Sequence, residues 1–320
     1  MRNVLNNNIL FKCVRIYLIY ITMSLNINES NNYQITSLLI ASAIGNKNIV
    51  KSLLAQGANI HETDIHGSTS LLIASSYGHK EVVELLLDLG ANINGTNMNG
   101  STSLMLASEH GHKEIVELLL DRGADIHGTN EHGNTALMYA SSLGFKNIIE
   151  LLLERGSNIH EQNYHGTTCL ICSSSAGHKE VVEFILDQGV NINIKDNYTN
   201  TSLMYSSING YTNVAELLLE RGSNINDYNK YGETALMFAS QAGRYEVVKL
   251  LLVQGADINR INSNGKTAKM LAFDNDNFNI VEIIDKWTGI MCIIILQELM
   301  VYNQIGDFDN INNLFEFIGF

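Results

Sequence analysis

The chain has 320 residues, 45% of them hydrophobic, and a formal charge of −13 from 20 Lys and Arg against 33 Asp and Glu. That balance excludes generic nucleic-acid binding, which needs clustered cations to neutralise phosphates. Four cysteines at irregular spacing, Cys13, Cys169, Cys172 and Cys292, exclude a disulfide framework and suit a reducing compartment such as the cytoplasm.

Residues 1–30 form an apolar N-terminal extension. Ile9 to Met23 is apolar, but Lys12 and Arg15 interrupt it and leave Ile16 to Thr22 too short to span a bilayer. A basic start and an apolar run also fit a secretory leader, yet the segment has no A-x-A-like cleavage site. The extension is expected to form a helix that caps the open end of the adjoining fold; translation from Met23 is the alternative.

From residue 31 the chain repeats. Gly67, Gly100, Gly133 and Gly166 keep a 33-residue register, as do the columns Gly45 to Gly243 and Gly57 to Gly255. A period of this length means stacked supersecondary units, each too small to bury its own apolar face. The units run 31–63, 64–96, 97–129, 130–162, 163–195, 196–228, 229–261 and 262–289.

In the copy 64–96, Asp64 to Gly67 is a turn, with Gly67 free to adopt positive φ. Thr69 caps a short helix carrying Leu71, Leu72, Ala74 and Ser75, which Gly78 ends. A second helix starts near His79, with Val82, Val83, Leu85 and Leu86 as its apolar stripe, and Gly90 stops it. The cap recurs at Thr36, Thr69, Thr102, Thr135, Thr168, Thr201, Thr234 and Thr267. Ala41, Ala74, Ala107, Ala140, Ser173, Ser206, Ala239 and Ala272 keep the inner helix small where a neighbour must approach.

The pattern G-x-T-x-L-x-x-A followed by G-H-K-E-V-V-E-L-L-L-x-x-G-A-x-I-N resembles the ankyrin repeat, over about Asn31 to Gly289. With 39 Asn it resembles in particular the Asn- and Ile-rich ankyrin proteins of giant double-stranded DNA viruses. The resemblance implies an all-α solenoid of about eight helix-turn-helix units with hairpin-like loops, acting as a non-catalytic protein-interaction module. Two departures bear on energetics. The family's Thr-Pro-Leu-His segment reads Thr-Ser-Leu-Leu at Thr69 to Leu72 and Thr-Ala-Leu-Met at Thr135 to Met138, without the proline or the histidine. Losing that proline removes pre-organisation, and Leu39, Met105, Met138, Met204, Met237 and Met270 are expected to supply apolar packing instead.

The eighth unit decays: Asp276 and Thr288 replace glycines, and Lys269 replaces the inner Leu, as suits a stack end. Residues 290–320 read as a degenerate C-terminal helix pair covering the stack. The alternative is a docking tail that recruits degradation machinery, making the chain a substrate adaptor.

Chemistry-bearing motifs are sparse. Asn264-Gly265-Lys266-Thr267 imitates a phosphate loop, but Arg260 stands where the leading glycine belongs. Cys169 and Cys172 have metal-like spacing but occupy slots held elsewhere by Ser or Ala and by a core-facing Ile, Leu or Tyr. His79, His112 and His178 fall at the position that, by the resemblance, is the family's Gly-His; His61, His127 and His160 share a loop position. No catalytic motif emerges, so no enzyme activity, cofactor or metal is expected. Glu84, Glu117, Glu150, Glu183 and Glu216 recur as an outer row relieved by Arg122, Arg155 and Arg221, and read as a solvated face.

Positions that repeat structurally and vary chemically are those free to encode recognition. Before the turn glycine stand His66, Asn99, His132, His165, Tyr198, Tyr231 and Asn264, and one residue earlier Ile65, Met98, Glu131, Tyr164, Asn197, Lys230 and Ser263. Inner-helix ends add Tyr77, Glu109, His110 and Leu143. The expected partner-binding set is Tyr164, His165, Tyr198, Tyr231, His132, His66, Tyr77 and His110, because rigid amphipathic aromatics are favoured interface anchors. A protein partner is expected for a monomeric chain, with neither nucleic acid nor membrane.

Overall fold

The computed structural model describes residues 28, 30, 31 and 33–289. The N-terminal cap with Cys13, and the C-terminal helix pair or tail with Cys292, lie outside the described residues. The chain divides into two compact units, one through Cys169 and one from Leu170. Both are helical, and among the described residues extended pairing is confined to isolated bridges, Thr63 with Thr69, Thr96 with Thr102 and Tyr228 with Thr234.

Unit 1 alternates inner and outer helices: α1 (Ser37–Ile44), α2 (Lys47–Ala55), α3 (Ser70–Tyr77), α4 (Lys80–Asp88), α5 (Ser103–Glu109), α6 (Lys113–Asp121), α7 (Ala136–Ser142) and α8 (Lys146–Glu154). Unit 2 continues with α9 (Cys169–Ala176), α10 (Lys179–Asp187), α11 (Ser202–Asn209), α12 (Thr212–Glu220), α13 (Ala235–Gln241), α14 (Tyr245–Val253) and α15 (Ala268–Asp274). Residues 278–289 are helical too.

Inner helices begin where a threonine caps them. The hydroxyls of Thr36, Thr69, Thr102, Thr135, Thr201, Thr234 and Thr267 each accept from the backbone N–H three residues on, at 3.3–3.4 Å. Within each unit, successive inner helices pack on one another, α1 on α3 on α5 on α7 and α11 on α13 on α15. Ala74, Ala107, Ala140, Ser206, Ala239 and Ala272 are fully buried in these contacts, so the small side chains set the approach of the backbones. On α4, Val82, Val83 and Leu86 are buried while Leu85 flanks them half-exposed. Each such fully buried aliphatic side chain contributes about 1.5–3 kcal/mol.

Leu39, Met105, Met138, Met204 and Met237 are buried as expected, but Met270 is 52% exposed. It sits on α15, the last inner helix of the described repeats. Lys269, beside it, is half-buried and paired with Asp285.

The asparagines, with two aspartates, have a structural use. Asp64, Asn97, Asn130, Asn163, Asp196, Asn229 and Asn262 each accept two backbone N–H bonds at Oδ1, from the residues two and four ahead, at 2.8–3.1 Å. This fixes the turn at every tip. In a further column, Asn94, Asn193 and Asn226 accept at 2.9–3.0 Å from the next repeat's Asp125, Asn224 and Asp257. Thr199 occupies the turn position that glycine fills at Gly67, Gly100, Gly133, Gly166, Gly232 and Gly265, at φ 61°, a costly conformation for a β-branched residue.

One column carries unsatisfied polarity. Ser42, Ser75 and Ser108 in unit 1, and Ser174, Ser207 and Ser240 in unit 2, are fully buried with hydroxyls that meet no partner. Ser141, in the same register, donates to Leu137 O at 2.7 Å.

Candidate partner-binding faces

The hairpin tips are joined by one backbone hydrogen bond per repeat. In unit 1, Met98 N donates to His66 O (2.9 Å), Glu131 N to Asn99 O (3.0 Å) and Tyr164 N to His132 O (3.0 Å). In unit 2, Lys230 N donates to Tyr198 O (3.1 Å) and Ser263 N to Tyr231 O (2.8 Å). The ladder uses only main-chain atoms, so it leaves the tip side chains free to differ.

Every residue of the expected set is exposed. Tyr77 (56%) and Tyr164 (66%) belong to unit 1 with His66, His110, His132 and His165; Tyr198 (45%) and Tyr231 (47%) belong to unit 2. His132 lies 3.7 Å from the Glu131 carboxylate. Tyr77 stacks on His79 with centroids 6.4 Å apart, and His110 on His112 at 6.3 Å. Both supporting histidines are themselves fixed, since His79 Nε2 donates to Ala43 O (2.9 Å) and His112 Nε2 to Ser76 O (3.0 Å) of the preceding repeat. The Gly-His position is thus a staple between repeats. Arg244 makes the corresponding bond to Ile208 O (2.8 Å) in unit 2.

A depression of about 430 Å³ opens on the inner face of unit 1, lined among others by Leu39, Ile40, Ile73, Leu106 and Tyr77. Its lining corrects one sequence reading. The slot of Ile40, Ile73, Leu106, Tyr139, Cys172 and Tyr205 reads as core-facing, yet these residues are half-buried, and Ile40, Ile73 and Leu106 look into the depression. A 33-residue period cannot tell an inner helix's two apolar edges apart, because both repeat identically.

Where that slot holds tyrosine, it ties helix to turn. Tyr139 OH accepts from Asn130 Nδ2 (2.9 Å), and Tyr205 OH donates to Asp196 Oδ2 (2.6 Å). Burial, and then the Asp196 carboxylate, push the Tyr205 phenol from 10.0 up to about 12. Because the folded state holds this proton more tightly, its contribution is complete below pH 10 and is lost as pH rises towards 12. Tyr205→Phe should cost about 1 kcal/mol at neutral pH, the size of one hydrogen bond. It should also unfold with less loss than the parent between pH 10 and 12. Urea midpoints at neutral and alkaline pH that fall in parallel for the two chains would contradict this.

Cys169 is a buried interior group and Cys172 a half-buried one. Cys169 donates to Ile159 O (3.2 Å). Burial pushes the Cys172 thiol from 9.0 up to about 12, so it stays protonated and is unsuited to nucleophilic or ligand chemistry. Among the described residues no three His, Cys, Asp or Glu are grouped to hold a metal, and no helix is long and apolar enough to cross a membrane. Lys266 of the phosphate-loop imitation pairs with Asp274, and Thr267 caps α15.

The outer glutamate row is more ordered than its sequence suggests. Arg122 bonds Asp88 (2.7 Å) near Glu84, Arg155 bonds Asp121 (2.7 Å) near Glu117, and Arg221 bonds Asp187 (2.7 Å) and Glu183 (3.1 Å). Each arginine clamps the repeat before it. Solvent screens these exposed pairs, so they set register more than stability.

Comparison with known proteins agrees with this geometry. A family model described as ankyrin repeats (3 copies) matches residues 4–97, 89–163, 156–229 and 222–289. A crystal structure of the human ASB11 ankyrin repeat domain superposes with a TM-score of 0.64 at 27% identity, covering 70% of this chain and 99% of that one. No curated protein matches the chain significantly. Ankyrin repeats generally mediate protein–protein interaction. Because the family model runs from residue 4 to residue 289, across the capped helix pairs and glycine turns described above, the chain belongs to the ankyrin-repeat family.

Proposed function

We propose that this chain is a non-catalytic protein-binding module that receives a segment of a protein partner on its hairpin tips and inner-helix face. The observation that carries the reading is a main-chain ladder within each unit whose tips bear exposed tyrosines, Tyr164 in unit 1 and Tyr198 and Tyr231 in unit 2, with Tyr77 exposed at the end of α3. Solvated surfaces seldom spend large rings on successive tips, and tyrosine offers contact area at low entropic cost. The depression beside Tyr77 gives unit 1 a concave apolar surface for the same purpose. Thiols outside any disulfide at Cys169 and Cys172 suit action in the cytoplasm.

The test is direct. Proximity labelling in the native cell identifies the partner, and purified Tyr198→Ala/Tyr231→Ala chain is then titrated with it. Loss of two anchors should weaken binding by roughly tenfold or more, with the helical circular dichroism unchanged. Unaltered affinity would remove Tyr198 and Tyr231 from the interface.

A further inference from the structure

Charge is divided between the hairpin arms of the two units. In unit 1 the arms 59–69, 92–102, 125–135 and 158–168 contain no Lys or Arg, whereas in unit 2 the arms 191–201, 224–234 and 257–267 carry Lys195, Lys230, Arg260 and Lys266. Lys195 pairs with Asp227 (3.4 Å) and Lys266 with Asp274, while Arg260 lies 3.8 Å over the ring of Tyr228.

Lys230 differs from the other two lysines of these arms. Its Nζ lies 3.8 Å from the ring centroid of Tyr198 and 5.2 Å from that of Tyr231, and among the described residues it meets no carboxylate and no hydrogen-bond acceptor. Ring faces hold an ammonium only weakly where water reaches it, and they leave its three N–H donors unspent. An incoming carboxylate would therefore gain a charge-assisted hydrogen bond without breaking an ion pair. The two half-exposed rings would cover apolar atoms of the same segment.

We propose that the Tyr198–Lys230–Tyr231 patch of unit 2 docks an acidic segment of the protein partner, with an Asp or Glu carboxylate on Lys230. The inference rests on the protein-binding function proposed above and specifies the chemistry of what is bound. A chain of net charge −13 repels acidic ligands at long range, but at physiological salt the Debye length is about 8 Å, so a contact ion pair outlasts that repulsion. The acidic preference should thus be local to this patch and should grow stronger as salt rises from very low levels.

Random short peptides displayed on phage are panned at physiological salt against the full chain and against its Lys230→Glu, Lys230→Arg and Tyr198→Ala/Tyr231→Ala variants, each confirmed helical by circular dichroism. Selected peptides should be rich in Asp and Glu, should bind Lys230→Arg as well as the parent, and should bind Lys230→Glu about tenfold more weakly. Peptides that need both tyrosines yet ignore the charge at Lys230 would overturn the acidic docking and leave the protein-binding function standing. Peptides indifferent to all three residues would overturn this patch and move the protein-binding function to the rest of the chain; no enrichment at all would overturn both.

Discussion

Gly100→Ala is expected to cost the fold about 3 kcal/mol, against about 1 kcal/mol for Gly90→Ala, because only the first collides with another repeat. Both glycines have positive φ, 75° and 88°, so both substitutions incur left-handed strain. A Cβ at Gly90 would meet nothing within 4 Å. At Gly100 it would lie 2.9 Å from the backbone nitrogen of Glu131 and 3.1 Å from Asn130 Cα. Main chain cannot swing aside as a side chain does, so the Glu131 N to Asn99 O bond that joins the two tips must stretch or break. Urea unfolding followed by circular dichroism gives both values, and amide exchange at Glu131 reports the tip directly. Equal losses for the two variants would mean that the tips do not bear on one another. Because each repeat leans on its neighbours, the damaged junction should also split a cooperative transition in unit 1.

The opposite result is expected from the buried serines. Replacing Ser75, Ser108, Ser207 and Ser240 together by alanine should raise stability by about 4 kcal/mol, roughly 1 kcal/mol per site. Each hydroxyl is fully buried without a partner, so folding strips its water and returns nothing. Alanine removes that penalty and is the better helix former. Rotation towards a carbonyl in the preceding turn offsets part of the penalty, which keeps the gain per site modest. Ser141→Ala is the control: its hydroxyl already donates to Leu137 O at 2.7 Å, so the change should be neutral or slightly destabilising. A fourfold variant no more stable than its parent would show that the column carries no unsatisfied polarity.

Much of the scaffold is legible in the chain itself, because its signals are local and repeated. The threonine caps act within a few positions of where they stand, and the turn glycines and small inner residues, though they meet the neighbouring repeat, recur at the same place in nearly every copy. Thr199 is legible in the same way, as the one break in the column running from Gly67 to Gly265. The exposure of Tyr77, Tyr164, Tyr198 and Tyr231 agrees with their places at tips and helix ends. Pairing across repeats was not legible. Arg122 reads as relief for a glutamate row, yet it bonds Asp88, thirty-four residues back. Met270 reads like Met237, yet one is exposed and the other buried, because burial of an inner helix depends on a neighbour rather than on its own sequence.

The sequence by itself determined the repeating unit, its two helices and their caps, and the tips at which chemistry varies, since hydrogen bonding and periodicity at short range suffice for these. Only the tertiary structure decided which edge of each inner helix faces the depression, that Asn94 and Asn226 bridge to the next repeat, and that Lys230 lies between two rings instead of beside a carboxylate. The reason is physical. Stacking brings together side chains about one repeat apart in the chain, and which atoms meet there is set by the rotation and rise from one helix pair to the next, which no single unit encodes.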